Sequence, residues 1–185
     1  MLAINNNTAI INATKKWIND VVIGCNFCPF ASKVFLNNSI YYVVDNTTKQ
    51  FSYQKNIAEV ILHLQKNKKI STAFIIFCNN YKTFNTYNKM LLNANNYLQK
   101  NKWQHEFQIA SFHPEYIFEG TLINNASNYT NKSPYPMLHI LREAMVSNAI
   151  NYYKNAAEIP KNNIAFANNK GATYMQALLT ACMPK

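Results

Sequence analysis

Glycine is scarce in this 185-residue chain: only Gly24, Gly120 and Gly171 occur. No two are close enough to build a glycine-rich phosphate loop, so the Walker and dinucleotide fingerprints are excluded. No other cofactor signature stands out, and no cofactor is expected. Arginine is scarcer still, with Arg142 alone against seventeen lysines. Long apolar runs are missing as well. The longest, Ala73 to Cys78, is far short of the ~20 residues that span a bilayer, so no membrane span is expected. The amino terminus has no basic start followed by an apolar stretch, so no signal peptide is expected. The four cysteines, Cys25, Cys28, Cys78 and Cys182, are then expected in a reducing cytoplasm.

What is present describes a folded protein. Apolar residues make up 49% and aromatic residues 14% of the chain, which excludes global disorder. The length fits one domain over residues 1–185, with a core at about 8–150 and a C-terminal helical extension at about 156–183. The net charge of +10 suggests a polyanionic partner. Thirty asparagines beside abundant Lys and Ile point instead to the codon drift of an AT-rich genome. The lone arginine then gains interest, because drift favours lysine wherever a point charge is enough.

Periodicity supplies the elements. Residues 8–23 carry Ile10, Thr14, Trp17, Ile18 and Val21 at helical spacing, with Gly24 as the stop. Cys25 to Phe30 is a tight apolar connection. Ile40 to Val44 reads as a strand, Gln54 to Gln65 as a helix, and Thr72 to Cys78 as a strand buried on both faces. Tyr81 to Lys100 reads as a helix and His105 to Phe112 as a third strand. A long loop over Pro114 to Ser133 follows, and its aromatic residues favour order. Pro136 to Ile150 reads as the clearest helix, with Ser133 as N-cap and Pro134 in the first turn. Two short helices split near Gly171 end the chain. The alternation predicts an α/β fold with a small, open, mostly parallel sheet of three to four strands flanked by helices. A ferredoxin-like α+β sandwich is the alternative.

Chemistry concentrates in residues 105–143. That stretch holds three of four histidines, half of the acidic residues, half of the prolines and the only arginine. Its two basic residues against four acidic ones leave the rest of the chain at +12. Drift acts on all segments alike, so something else holds this one. His113 stands at a strand end before Pro114, placed to project from the sheet tip or to pack at the loop start. On a helix, His139, Arg142 and Glu143 share a face, as an acid/base histidine beside an anion-holding arginine or as a surface ion pair with a half-buried histidine. Cys28 could be a nucleophile, half of a dithiol with Cys25, or a buried structural thiol. Tyr116, Asn128, Tyr129, Asn131, Lys132, Ser133 and Tyr135 could line a pocket or simply pin the loop. No spacing among Cys28, His113, His139 and Glu143 matches a zinc signature, and no metal is expected.

Several segments carry a resemblance. Ile109-Ala-Ser-Phe-His-Pro-Glu-Tyr116, Phe118-x-Gly-Thr121 and Asn128 through Ser133-Pro-Tyr-Pro-Met-Leu-His139 to Glu143 resemble the signature of the domain-of-unknown-function family numbered 1415, found largely in bacteria. Trp17-x-x-x-Val-Val-Ile-Gly24, Cys28-Pro-Phe30 and Ile159-Pro-x-x-Asn-Ile164 resemble its outer motifs. The likeness spans roughly residues 14–170. It implies that Cys28, His113, Asn128, Tyr129, Thr130, Asn131, Ser133, Tyr135, His139, Arg142 and Glu143 belong to the family's pattern, and it gives them no roles. Cys25 and Lys132 depart from that pattern, which usually carries a non-cysteine residue and arginine there.

Three functions follow. The first is an enzyme acting on a small anionic metabolite, with Arg142 holding the anion and Cys28, His113, His139 and Glu143 doing the chemistry. It requires those side chains to converge. The second is a non-catalytic ligand- or protein-binding module. The third, nucleic-acid binding through the positive charge, lacks any recognition motif, and its lysines are scattered rather than striped.

Overall fold

The computed structural model describes residues 6–49, 51–153 and 155–183. The outermost residues of the 1–185 span, on which the reading of the amino terminus fell, lie outside them.

The first helix, α1 (Asn6–Trp17), runs into a π-helical segment, Ile18–Ile23. Ile10, Ala13, Thr14, Trp17, Ile18 and Val21 are buried along it. The consecutive Trp17 and Ile18 are both buried where the α-helix passes into the wider π turn. Gly24 ends the segment, but in right-handed geometry, not the left-handed cap a helix-terminal glycine usually adopts. A Cβ there would lie 2.3 Å from the Asp20 carbonyl oxygen, so glycine is needed for space. A short helix, α2 (Ala31–Leu36), follows the Cys-Pro turn.

Strands β1 (Ile40–Asp45) and β2 (Thr72–Phe77) pair in parallel across helix α3 (Ser52–Lys66). Helix α4 (Phe84–Lys100) leads to β3 (Phe107–Phe112). The sheet order is β1-β2-β4-β3, with β4 (Met137–Arg142) antiparallel to both neighbours. Three strands therefore run one way and β4 is inserted against them. The fold is α/β with a small, open, mixed sheet flanked by helices. Helices cover both faces, unlike the two-layer sandwich that was the alternative. On one face, Ile57, Ile61 and Leu64 of α3 and Tyr87, Met90 and Leu98 of α4 meet Ile75, Leu138 and Ile140. On the other, Trp17 and Val21 meet Phe74 and Met137.

One element was misread. Residues 136–150 are not a helix: β4 occupies Met137–Arg142, and helix α5 (Glu143–Tyr152) starts only after it. Met-Leu-His-Ile-Leu is continuous and apolar because β4 sits between two strands, with Met137, Leu138 and Ile140 fully buried. Such a run carries no period that separates a central strand from a buried helix. Ser133 is not an N-cap; its hydroxyl donates to the Tyr135 carbonyl at 2.6 Å. The terminal helices α6 (Ile159–Lys170) and α7 (Ala172–Ala181) break at Gly171 as expected. They pack on the loop and on the π segment.

Candidate functional site

The change from helix to strand rearranges the expected site. Along a strand, side chains alternate faces. His139 therefore points to the α1 side with Phe74, its cross-strand partner, and Arg142 points to the α3 side. The shared face of His139, Arg142 and Glu143 does not exist.

Arg142 is engaged by the backbone. Its Nη2, with two hydrogens shared among three acceptors, lies 2.5 Å from the Leu64 carbonyl, 3.0 Å from that of Ile70 and 3.2 Å from that of Asn67, and its Nε–H donates to Ile70 at 3.2 Å. The guanidinium thus caps the carboxyl end of α3 and pins the turn into β2, where a cation also meets the helix dipole favourably. The fork explains why lysine would not serve here. Glu143 begins α5, and its backbone N–H donates to the Glu106 carbonyl at 2.8 Å.

His113 is buried and fully paired. Its Nδ1 accepts the Glu115 N–H at 3.0 Å, so its Nε2–H donates to the Tyr81 carbonyl at 2.8 Å. Burial holds its pKa below the usual imidazole value. It packs against Phe84 and Tyr87 of α4, away from His139.

The loop residues mostly pin the loop. Asn128 is fully buried; its Oδ1 accepts from the Phe118 N–H and the Thr121 hydroxyl, and its Nδ2 donates to the Leu122 carbonyl. Asn131 donates to the Ser111 carbonyl, and the Trp17 indole N–H to that of Lys132. Tyr129 donates to Gln176 of α7 at 2.8 Å, and the Lys132 ammonium lies 4.2 Å from the Tyr129 ring centroid. Tyr116 packs between Phe84 and Phe118, tilted against the first ring and edge-on to the second. Tyr135 packs partly buried against the α1-side core.

Three of the candidates border one space. Cys28, His139 and Arg142, the last with its guanidinium turned away to the carbonyls of the α3 turn, line a cavity of about 330 Å³ on the α1 face of the sheet. Its floor is Phe74, Ala110, Phe112 and Leu141; Trp17 and Val22 form one wall. Helices α2 and α5 close the outside through Phe30, Val34, Met145 and Ile150. Ile40 and Thr72 begin their strands and Leu141 is near the end of its own, so the cavity sits at the amino edge of β1 and β2. The open α/β rule had pointed to the opposite, carboxyl edge.

The polar groups here are few and constrained. His139 stacks flat on Phe74, with ring centroids 4.0 Å apart. Burial lowers its pKa to about 3, so the imidazole is neutral. Its Nε2 is 2.7 Å from the Thr72 hydroxyl, which donates to the Ile140 carbonyl at 2.6 Å. Burial pushes the Cys28 thiol up, and the backbone N–H groups of Phe30 and Ala31 offset only part of that. Both Cys25 and Cys28 are free. Among the described residues, no three His, Cys, Asp or Glu side chains are grouped to hold a metal ion.

Sequence reasoning missed Thr72, Phe74, Ala110 and the α5 contribution. The one available signal was Thr72, a hydroxyl opening an otherwise apolar strand. Among the described residues no helix is long and apolar enough to cross a membrane. No curated protein and no solved structure matches the chain. Residues 9–177 match the family described as Protein of unknown function (DUF1415), nearly the full length, and the chain belongs to that family.

Proposed function

We propose that the protein binds a small apolar molecule in the cavity between the sheet and helices α2 and α5. One observation carries the reading: about 330 Å³ of space walled almost wholly by apolar side chains. Close-packed interiors keep few voids larger than a water, and a dry apolar cavity of ~150 Å³ is enough to take up benzene. An anionic metabolite suits this cavity poorly. The arginine that was to hold it is spent on three carbonyls of the α3 turn, and His139 is neutral. Four free thiols fit a reducing cytoplasm as the site of action.

Titration with naphthalene, read as a rise in thermal midpoint, tests this. Binding to the folded state alone raises stability by RT ln(1 + [L]/Kd). We expect stabilisation by naphthalene, abolished in Ala110→Leu and Ala149→Leu, whose added carbons fill the space. No stabilisation of the parent chain by naphthalene overturns the reading.

Thiol catalysis in the same cavity is a second reading, favoured by Cys28 and His139 sharing its wall. Cys28→Ser separates the two. A binder keeps its naphthalene affinity and a thiol enzyme loses turnover of any electrophile that fits.

A further inference from the structure

The Thr72 hydroxyl has one proton. It is directed at the Ile140 carbonyl, 2.6 Å away across the β2–β4 ladder. The His139 Nε2, 2.7 Å from the same oxygen, must then be the donor. That fixes the tautomer: Nε2 carries the hydrogen and Nδ1 carries a lone pair. Among the described residues Nδ1 has no hydrogen-bond partner, and it is not among the sealed, unsatisfied polar atoms. The ring lines the cavity, so the cavity is the open space this lone pair can meet.

A neutral acceptor selects its partners sharply. It takes a hydrogen from an uncharged O–H or N–H. It repels a carboxylate, whose lone pairs face its own, and in an apolar enclosure that carboxylate also loses its hydration. Size and shape add two limits. The volume is roughly twice that of a cavity holding benzene. Trp17, Phe30, Phe74 and Phe112 present aromatic walls, which favour a flat ring system.

We propose that the ligand is a neutral aromatic molecule of about two fused rings bearing one hydrogen-bond donor, a phenol- or indole-like O–H or N–H, accepted by His139 Nδ1. The proposal rests on the cavity reading above and deepens it. Thr72 is a positioning residue: it holds the ring in the tautomer that can accept.

Three probes of one size test it: 2-naphthol, 2-methylnaphthalene and 2-naphthoate, titrated near neutral pH by calorimetry. We expect 2-naphthol to bind about five- to tenfold more tightly than 2-methylnaphthalene, the gain of one neutral hydrogen bond, and 2-naphthoate to bind weakest. His139→Phe keeps a ring on Phe74 and removes Nδ1, so the two neutral probes should become equal. Should that variant not fold, histidine ¹⁵N spectra of the parent chain decide. They should place the hydrogen of His139 on Nε2, and 2-naphthol alone should shift Nδ1 toward the hydrogen-bonded value. Equal binding of the neutral probes to the parent chain, or a hydrogen on Nδ1, overturns this proposal and leaves the cavity reading standing. Tightest binding by 2-naphthoate overturns it in favour of an anionic ligand. Binding by none of the three overturns the cavity reading as well.

Discussion

Replacing Arg142 by methionine should cost folding stability and leave ligand binding untouched. The guanidinium makes four N–H contacts to three carbonyls, those of Leu64, Asn67 and Ile70. Hydrogen bonds from a charged donor contribute about 1.5–3 kcal/mol each when buried. Arg142 is only partly buried and the freed Asn67 carbonyl can turn to water, so the sum must be discounted. Counting Leu64 and Ile70 at the low end gives a loss of about 3 kcal/mol, or roughly 6–12 °C in Tm for a chain of this size. The stem of methionine preserves packing near Phe107, whose ring centroid lies 5.7 Å from the guanidinium carbon. Arg142→Lys puts its three donors on one compact nitrogen, which cannot spread to all three carbonyls as the planar fork does, and should recover less than half of the loss. Urea unfolding followed by circular dichroism gives the free energies, and calorimetry with naphthalene gives the binding. A methionine variant within about 0.5 kcal/mol of the parent refutes the capping role. One that is equally stable yet no longer binds ligand would show that the guanidinium serves the ligand, since Arg142 already borders the cavity.

Acid should destabilise the fold through its neutral histidines. His139 falls from 6.5 to about 3 on folding, and His113 is lowered as well. Between those limits the unfolded chain binds protons that the folded chain refuses, so stability falls as pH drops below ~6.5, by about 1 kcal/mol per pH unit for His139 alone. The urea midpoint measured from pH 7 to pH 4 should show that slope, and His139→Phe should flatten it. Cys28 should react slowly with iodoacetamide at neutral pH, because burial holds its thiol protonated; rapid labelling below pH 7, resolved by peptide mass spectrometry, would contradict that and favour thiol catalysis. Gly24→Ala should destabilise by at least ~1.5 kcal/mol, since its Cβ would sit against the Asp20 carbonyl; a neutral effect in urea unfolding would mean the π segment relaxes.

Most of the fold was legible because most elements announce their period. The alternation of β1, α3, β2, α4 and β3 followed from runs whose ends carry turn residues. Strand β4 did not, since Met137 to Leu141 is apolar at every position but one, and its leucines and methionine favour helix when read locally. Only its pairing with β2 and β3 makes it a strand, and that pairing is not written within the segment. The error propagated to the site. His139, Arg142 and Glu143 were grouped by a helical spacing that a strand turns into opposite faces. Cys28 and His139 were both singled out, yet nothing in the sequence says they share a cavity, because 110 residues separate them and neither local period relates them.

The segment richest in histidine, acid, proline and arginine stands apart from the drifted remainder for a reason that is largely architectural. Residues 113–136 join β3 to β4 with little regular structure, a length at which backbone groups lose their ladder partners. Side chains replace the ladder: His113 ties Tyr81 to Glu115, Asn128 ties Phe118 to Leu122, Asn131 ties the loop to Ser111, and Trp17 reaches in to Lys132. Each takes a specific donor or acceptor at a fixed distance, which a drifting lysine cannot supply. Arg142 performs the same work at the turn from α3 into β2. Once those residues are assigned to holding the chain, His139 is a cavity-lining histidine whose second nitrogen, among the described residues, has no hydrogen-bond partner. A residue type conspicuous in the sequence marks a demand for geometry, and it becomes a candidate for function only where the fold leaves one of its atoms without a task.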